Sequence, residues 1–174
     1  MKSVYYVREL QQGDSDTIFT LAMTLWKFTY ENIFSEDFIE SYVNRAYRKE
    51  SIENIVSLAK QGLTKFFVLL DNTTEIISGF AQIGYDRFWE SKQKILPLRL
   101  FRVYLEPKII GKGLGKLLLK KVEDFVRQEE QLSYIVGVHE QNTIGLKFYK
   151  KMGFIATSLQ SDAEREIYFE KKLD

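Results

Sequence analysis

A glycine-rich segment, IIGKGLGKLLL, reads as a turn that opens into an amphipathic helix. Gly111, Gly113 and Gly115 stand at alternate positions ahead of the helical pattern, so several backbone N–H groups can point outward with no Cβ in the way. The helix N-terminus adds a partial positive charge, and Lys112 and Lys116 add whole charges. The segment therefore favours an anion such as a phosphate or pyrophosphate, although such turns also occur simply to reverse the chain.

A second segment, VHEQNTIGLKFYKKMGF, has residue types that core periodicity alone does not explain. Taken singly, Asn142 is better explained as a helix cap and Tyr149 as a half-buried aromatic residue. The pattern N-x-x-G-x-x-F-Y-x-x-x-G-F is formed by Asn142, Gly145, Phe148, Tyr149, Gly153 and Phe154.

Hydrophobic periodicity predicts the elements that must position these two motifs. The elements expected before the glycine turn are a strand at 4–10, helices beginning at Asp16, Ser35 and Ser51, a hairpin of strands at 65–70 and 76–85, a loop at 88–94 and a strand at 96–105. Those expected after it are a helix to about residue 130, a strand at 134–138, a helix capped by Asn142, and an antiparallel pair at 154–159 and 167–173. A strand, turn, helix and strand in succession form a βαβ crossover, which places two parallel strands in the sheet. Gly79, inside a strand, indicates either a bulge or a close backbone approach.

In their order and spacing, the two motifs resemble the GNAT superfamily of acetyl-CoA-dependent N-acetyltransferases. The order of the expected strands and helices is similar to this family across nearly the whole chain. The resemblance implies one domain over residues 1–174. It implies an α/β fold with a mixed, mostly antiparallel seven-stranded twisted sheet, helices on both faces, and a parallel crossover around strands four and five. It also implies acetyl-CoA as cosubstrate.

The resemblance assigns the cosubstrate site to particular residues. Backbone amides from Ile110 to Gly115 would hold the pyrophosphate, with Ile110 standing where the family usually has Gln or Arg. Backbone groups of Val103 and Leu105 would pair with the pantetheine arm, and Asn142 would hold that arm from the other side. The expected cosubstrate-binding residues are Val103, Leu105, Ile110, Gly111, Lys112, Gly113, Leu114, Gly115, Lys116, Asn142 and Phe148.

The same resemblance makes Tyr149 the general acid that protonates the leaving thiolate of CoA. The base that takes a proton from the amine is less evident, because relatives often carry Glu where this sequence has Phe101. Glu106, His139 and Glu140 remain near the strand ends that form the cleft. His139 has a suitable intrinsic pKa and is a candidate base or proton relay, but a lone histidine there is commonly a packing or hydrogen-bonding residue.

A finer resemblance links the segment FTYENIFSEDFIE and the later FYKKMGF to the PaiA-like branch, which acetylates spermidine, spermine and related amines. A polyamine is a chain of cations, so carboxylates and aromatic side chains should line its pocket. An ordinary solvated helix and a core aromatic stripe would explain the same residues taken singly. The expected acceptor-binding residues are Trp26, Tyr30, Glu31 and Asp37, with Glu36 and Glu40 nearby.

The expected function is direct acetyl transfer from acetyl-CoA to a primary amine, with a polyamine as acceptor, in a ternary complex without a covalent intermediate. The absence of cysteine agrees with this mechanism. Two alternatives stay open. The acceptor could be an aminoglycoside, a free amino acid or a protein N-terminus. The chain could also be a CoA-binding regulatory module without turnover, as Ile110 and Phe101 would allow.

The composition of the chain argues against several classes of binding partner. The chain of 174 residues has a net charge of +1, which argues against broad binding to nucleic acid or membranes. It has no cysteine and one histidine, so we expect no metal site. Without a signal-peptide pattern or a long apolar window, the expected location is cytoplasmic. A homodimer is the candidate assembly, because dimers are frequent in this superfamily.

Overall fold

The structure, a computed structural model, describes residues 4–86, 97–161 and 165–174, so the expected loop at 88–94 lies outside the described residues. Its elements are β1 (Tyr5–Glu9), α1 (Ser15–Tyr30), α2 (Glu36–Tyr47), α3 (Lys49–Lys60), β2 (Thr64–Asp71), β3 (Ile77–Tyr85), β4 (Leu98–Leu105), α4 (Leu114–Gln128), β5 (Ser133–His139), α5 (Thr143–Lys151), β6 (Ile155–Ser161) and β7 (Glu166–Lys172). The strands form one seven-stranded sheet in the order β1-β2-β3-β4-β5-β7-β6. The β4–β5 pair is parallel and the other pairs are antiparallel, which confirms the expected fold class.

Two hydrophobic clusters cover the two faces of the sheet, and β2 contributes to both. Phe67 and Leu69 pack in the cluster formed with α4, while Phe66, Val68 and Leu70 pack in the cluster formed with α1, α2 and α3. Successive side chains of a strand point to opposite faces, so burial on both faces explains the continuous apolar run of this strand. Within the described ranges, none of the helices is long and apolar enough to cross a membrane.

The start of α3 differs from the sequence prediction. The helix begins at Lys49, two positions before the expected Ser51, because Arg48, with φ −57° and ψ 158°, already separates it from α2. The Ser51 hydroxyl donates a hydrogen bond to the Arg45 carbonyl at 2.8 Å. The serine therefore links two consecutive helices instead of capping one. Gly62 follows the helix with φ +73°, as predicted.

Gly79 lies both at a β-bulge and at a close approach of two backbones, the two features that a glycine inside a strand indicates. The register shifts beside it, so that Ser78 is an extra residue opposite β2. A Cβ built at Gly79 would lie 2.6 Å from Leu105 Cδ2 and 2.7 Å from the Tyr104 carbonyl oxygen. This glycine therefore allows β4 to approach β3 closely at the end nearest the glycine turn.

A β-bulge at Phe101 changes which residues of β4 face each side of the sheet. Before the bulge, Leu98 and Leu100 pack in the α4 cluster; after it, Tyr104 packs on the α1 side. Since a bulge inserts one unpaired residue, the alternation resumes in the opposite phase. Arg99 and Arg102 consequently lie on the same face as Tyr104.

We expect the stability of this fold to decrease in alkaline solution, in part because of Tyr47. Burial raises the pKa of Tyr47 to about 12, from about 10 in an unfolded chain. A group with a raised folded-state pKa contributes its full stabilisation below the unfolded pKa and loses it as the pH rises through the folded one. The free energy of unfolding should therefore fall by about 2 kcal/mol from this residue between about pH 10 and 12, since each pKa unit is worth about 1.4 kcal/mol.

Urea denaturation over this pH range measures the effect. The Tyr47→Phe variant should begin less stable, because Tyr47 accepts a hydrogen bond from Trp26 Nε1 at 3.3 Å. Its stability should nevertheless decrease less steeply with pH than that of the wild type. Equal slopes in the two proteins would contradict the assignment to Tyr47.

Candidate active site

The glycine turn presents unpaired amides at the start of α4. Ile109 is buried and anchors the turn, while Gly111 and Gly113 have φ +84° and +79°, a left-handed conformation that favours glycine. Within the part of the chain that the structure describes, the N–H groups of Gly111 and Gly113 donate to no backbone carbonyl. Leu114 and Gly115 begin the helix, so their N–H groups have no intrahelical acceptor. Free amides in this arrangement at a helix N-terminus can donate hydrogen bonds to an anion's oxygens, since their N–H groups are unpaired donors.

The remaining residues of the turn contribute differently from what the sequence indicated. The amides of Ile110 and Lys112 donate within the turn itself, to Pro107 and Ile109 at 3.3 and 3.4 Å. The Ile110 side chain is exposed, as are the side chains of Lys112 and Lys116. Fewer amides in 110–115 are therefore free than the sequence indicated. The side chains of the two lysines face solvent and add positive charge near the turn.

The strands β4 and β5 are paired at only one end. Their registered pair is Arg99 with Ile135, near the start of β4, whereas β4 stays paired with β3 as far as Leu105. The Glu106 amide donates to a β3 carbonyl at 2.9 Å. Because successive N–H groups of a strand point to opposite sides, the amides of Val103 and Leu105 point away from β3, toward the opening between β4 and β5.

The second motif packs directly against the first. Asn142 Oδ1 caps α5 by accepting the Gly145 amide at 2.9 Å, and a Cβ built at Gly145 would lie 2.9 Å from Asn142 Nδ2. A Cβ built at Gly115 would lie 2.7 Å from Phe148 Cε2 and 3.5 Å from Leu105 Cδ1. The glycines of both motifs thus make room for side chains, and Phe148 joins α5 to the glycine turn.

Tyr149 lies in the second motif, next to Phe148, which contacts the glycine turn. Tyr149 is 7% exposed, and its ring makes edge contacts with Phe148 and Phe154, both at 5.2 Å between centroids. Burial raises the pKa of Tyr149 well above its ordinary value, with smaller contributions from Tyr30 and Glu166. Among the described residues, no hydrogen bond engages its hydroxyl. The phenol is therefore fixed in place and keeps its proton at neutral pH.

A row of polar groups connects the end of α1 with the cap of α5. The hydroxyls of Tyr30 and Tyr104 are 3.4 Å apart, and Asn142 Nδ2 donates to the Tyr30 hydroxyl at 3.4 Å. Burial raises the pKa of Tyr30, whereas its hydrogen bonds with Tyr104 and Asn142 act in the opposite direction. The structure therefore brings the expected acceptor residue Tyr30 next to Asn142, and it adds Tyr104.

Trp26 lies in the hydrophobic cluster formed with α1, α2 and α3. Its ring stacks on Tyr42 at 4.0 Å between centroids and lies 4.4 Å from that of Tyr30. Its Nε1 group donates to the Tyr47 hydroxyl, and the residue is 7% exposed. These contacts match a core aromatic stripe and leave little of the indole for an acceptor.

The carboxylates expected to line the acceptor pocket fall into two groups. Lys27 pairs with Glu36 at 2.8 Å and with Glu40 at 3.3 Å, so their charges are partly compensated. Glu31 and Asp37 are exposed, and within the described ranges neither forms an ion pair. Glu36 and Glu40 therefore meet at one lysine, whereas Glu31 and Asp37 take no part in this described ion-pair network.

His139 is buried at the end of β5, where its ring meets the edge of Phe34 at 5.1 Å between centroids. Its Nδ1 atom accepts a hydrogen bond from the Gln141 amide at 3.2 Å. Burial, and then the charge of Arg165, lowers the pKa of His139. The ring is therefore neutral near pH 7, and with Nδ1 occupied as an acceptor its proton resides on Nε2.

The other sequence candidates for a base are paired with cations. Glu106 forms an ion pair with Lys108 at 2.9 Å, and Glu140 pairs with Arg165 Nε at 2.7 Å. Phe101, at the position where relatives often carry Glu, is an exposed residue of the bulge in β4.

The structure adds charged residues that the sequence interpretation did not select. Arg99 Nη1 lies 3.2 Å from Asp86 Oδ2, and Arg99 Nη2 lies 2.9 Å from Glu166 Oε2. The alternation of basic and apolar residues in 96–105 could have indicated that Arg99 forms ion pairs, since cations inside a buried strand require partners. Glu166 carried no comparable signal, because glutamates are frequent near the chain's end.

The chain is similar to known acetyltransferases in both sequence and structure. Residues 27–154 match the model of the Acetyltransferase (GNAT) family. The chain is 32% identical to the spermidine N(1)-acetyltransferase of Thermoplasma acidophilum over 148 residues, 85% of this chain and 86% of that protein. It is 28% identical to the L-amino acid N-acyltransferase MnaT of Escherichia coli over 96 residues, 55% of this chain and 54% of that protein. The crystal structure of the PaiA N-acetyltransferase from Thermoplasma acidophilum in complex with coenzyme A matches with a TM-score of 0.84 and 28% identity, covering 97% of this chain and 99% of that one.

These similarities agree with the geometry of the site. The family model spans both motifs, and the fold places a helix N-terminus with free amides beside the opening between β4 and β5. The chain therefore belongs to the GNAT family of acetyltransferases and is an acetyl-CoA-dependent N-acetyltransferase.

Proposed function

We propose that this protein acetylates a primary amine of a polyamine such as spermidine or spermine, with the amine attacking directly in a ternary complex. The observation that carries the proposal is the 32% identity to a spermidine N(1)-acetyltransferase across 85% of the chain. The direct mechanism is supported by the lack of any cysteine nucleophile and by Tyr149, a proton-donor candidate next to Phe148, which packs against the glycine turn.

The residues present fit acetyl-CoA. The free amides at the start of α4 suit the pyrophosphate, with Lys112 and Lys116 adding charge nearby. The backbone of Val103 and Leu105 suits the pantetheine amides, and Asn142 and Phe148 lie on the α5 side. Acetyl-CoA supplies an activated acetyl thioester, whose carbonyl carbon accepts the amine.

Tyr149 acts as the proton donor to the departing sulfur in this proposal. Its burial disfavours the phenolate, so the hydroxyl enters the reaction protonated. Its edge contacts with Phe148 and Phe154 fix the orientation of the ring and of its C–O bond.

His139 suits a hydrogen-bonding role better than that of the base. A base needs a free lone pair, and the Nδ1 lone pair already accepts the Gln141 amide. The remaining nitrogen carries the proton and can donate to an acceptor molecule in the cleft or pass a proton along a relay.

A free amino acid is the second candidate acceptor, favoured by Arg102. Its guanidinium lies over the Tyr47 ring at 4.5 Å, on the Tyr104 face of β4. The Nη1 atom is shielded from solvent and has no hydrogen-bond partner among the described residues. A shielded guanidinium group with an unpaired N–H donor suits the carboxylate of an amino acid. The similarity to an L-amino acid N-acyltransferase also favours an amino acid as acceptor.

A thiol-release assay with acetyl-CoA and a panel of amines tests the proposal. The panel contains spermidine, spermine, monoamines, free amino acids, an aminoglycoside and a peptide with a free N-terminus. We expect the highest kcat/KM for the polyamines. A preference for amino acids would favour the second candidate, whereas measurable CoA binding without turnover of any amine would identify a CoA-binding regulatory module.

Glu31 and Asp37 provide a prediction about the acceptor. If these exposed carboxylates attract the distal ammonium groups of a polyamine, Glu31→Gln and Asp37→Asn should each raise KM for spermidine by about two- to fivefold, the size of an exposed charge interaction. KM for a monoamine should change less, because it has no distal charge. Steady-state kinetics measure both, with Glu50→Gln on α3 as the matched control. Equal effects on polyamines and monoamines would rule out an acidic acceptor pocket at these residues.

A further inference from the structure

Three aromatic side chains, Tyr30, Phe34 and Phe38, form an aromatic row from the end of α1 to the first turn of α2. The ring centroids of Tyr30 and Phe34 are 5.6 Å apart, and those of Phe34 and Phe38 are 4.6 Å apart. Tyr30 and Phe34 are partly buried at the margin of the cluster formed with α1, α2 and α3, and Phe38 is 45% exposed. Burial in the core accounts for Trp26, whereas every member of this row keeps part of its surface accessible to solvent.

The inner end of the aromatic row lies at the end of β5. The Tyr30 hydroxyl accepts a hydrogen bond from Asn142 Nδ2 at 3.4 Å. Phe34 lies 5.1 Å from His139 between ring centroids, and β5 ends at His139, on the side of the sheet where β4 and β5 are not paired. The row therefore leads from the exposed Phe38 to the opening between β4 and β5.

The segment that carries the row is acidic. Between Lys27 and Arg45 the sequence has four carboxylates and no basic residue. Lys27 pairs with two of these carboxylates, whereas Glu31 and Asp37 are exposed and form no ion pair within the described ranges. The faces of aromatic rings also attract cations, because the ring quadrupole is negative on its face. Charge and ring chemistry in this segment therefore both suit a cationic ligand.

Tyr42 marks the outer limit of the row. Its ring stacks on Trp26 at 4.0 Å and lies 6.5 Å from that of Phe38. The Arg45 guanidinium lies over the Tyr42 ring at 5.6 Å from the centroid. A cation of the protein itself therefore uses Tyr42, whereas among the described residues no cation lies over the rings of Phe34 and Phe38.

We propose that Phe34 and Phe38 bind the part of the acceptor that does not react: the methylene chain of a polyamine packs against Phe34, and its distal ammonium group lies over Phe38, near Asp37. This inference rests on the proposed acetyl transfer to a polyamine and names the residues that select this class of acceptor. The reacting nitrogen then lies at the inner end of the row, at the opening between β4 and β5. A short monoamine has no distal group, so it gains nothing from Phe38.

The variants Phe34→Leu and Phe38→Leu test this role, since leucine keeps an apolar side chain and removes the ring. KM for spermidine should rise about two- to fivefold for Phe38→Leu and about 5- to 30-fold for Phe34→Leu, because ring–cation attraction is stronger where water is excluded. KM for acetyl-CoA and for ethylamine should stay within about twofold of wild type. Phe38→Tyr, which restores a ring, should return KM for spermidine to the wild-type value. Phe28→Leu is the matched control, because Phe28 is 42% exposed on α1 and makes no ring contact among the described residues.

Calorimetric titration of spermidine without acetyl-CoA separates this inference from the proposed function. If the wild type acetylates spermidine and both leucine variants keep its KM and affinity, the role of the row is wrong and the function stands. An equal effect of Phe28→Leu, or an equal rise in KM for ethylamine, would also overturn the role. If the wild type acetylates no amine, the proposed function fails and the titration decides alone: weaker spermidine binding by the two variants supports the row, and equal or absent binding in all proteins overturns it.

Discussion

Replacing Tyr149 with phenylalanine lowers kcat for acetyl transfer by roughly 10²-fold or more, while the Kd for CoA stays within about twofold of wild type. The hydroxyl is the group that can give a proton to the departing sulfur, so its loss acts on the chemical step. The ring contacts with Phe148 and Phe154 persist in the variant, so the CoA site keeps its shape. Steady-state kinetics and calorimetric titration of CoA measure the two quantities.

The stability of the Tyr149→Phe variant provides the control. Within the described ranges the hydroxyl has no hydrogen-bond partner, so thermal unfolding should change little. Because the pKa of Tyr149 is raised by burial, the wild-type rate should show no loss from this group as the pH rises from about 7 to 10. Unchanged turnover in the variant would remove Tyr149 from the mechanism.

Replacing Gly115 with valine raises the Kd for CoA by about 10- to 100-fold. A Cβ at this position would meet Phe148 Cε2 at 2.7 Å and Leu105 Cδ1 at 3.5 Å, so the added methyl groups must displace Phe148 or the start of α4. Overpacking of this kind costs about 1–3 kcal/mol, and the amides at the helix N-terminus then no longer converge. Calorimetric titration with CoA measures the change, and Gly115→Ala should give a smaller effect.

Gly13→Val is the matched control for this substitution, because a Cβ at Gly13 meets no atom within 4 Å. Its affinity for CoA should equal that of the wild type. Circular dichroism establishes that both variants are folded. A folded Gly115→Val variant with wild-type affinity would show that the packing of the two motifs does not support CoA binding.

Features that depend on local sequence were predictable. The positive φ angles of Gly111 and Gly113 and the cap formed by Asn142 follow from residues only a few positions apart. The mixed seven-stranded sheet and the parallel β4–β5 pair followed from the resemblance and from the βαβ pattern. Helix starts were less certain, as Ser51 shows, because a serine can bond to the preceding helix instead of capping its own.

Features that depend on distant partners were not predictable. Glu36 and Glu40 looked like free pocket carboxylates, but both pair with Lys27, one helix earlier in the chain. The bulge at Phe101 reverses the alternation of β4, and a period-2 pattern cannot locate an inserted residue.

The sequence by itself therefore determined the family and the glycine turn, because both depend on short-range spacing of residue types, and the family resemblance supplied the proton-donor candidate. Only the tertiary structure decided which charged residues pair with each other. Glu166 and Arg99 are separated by 67 positions, and they meet because β5 lies between their strands with a glycine at the point of contact. Electrostatic pairing depends on distance in space, which composition and periodicity do not contain.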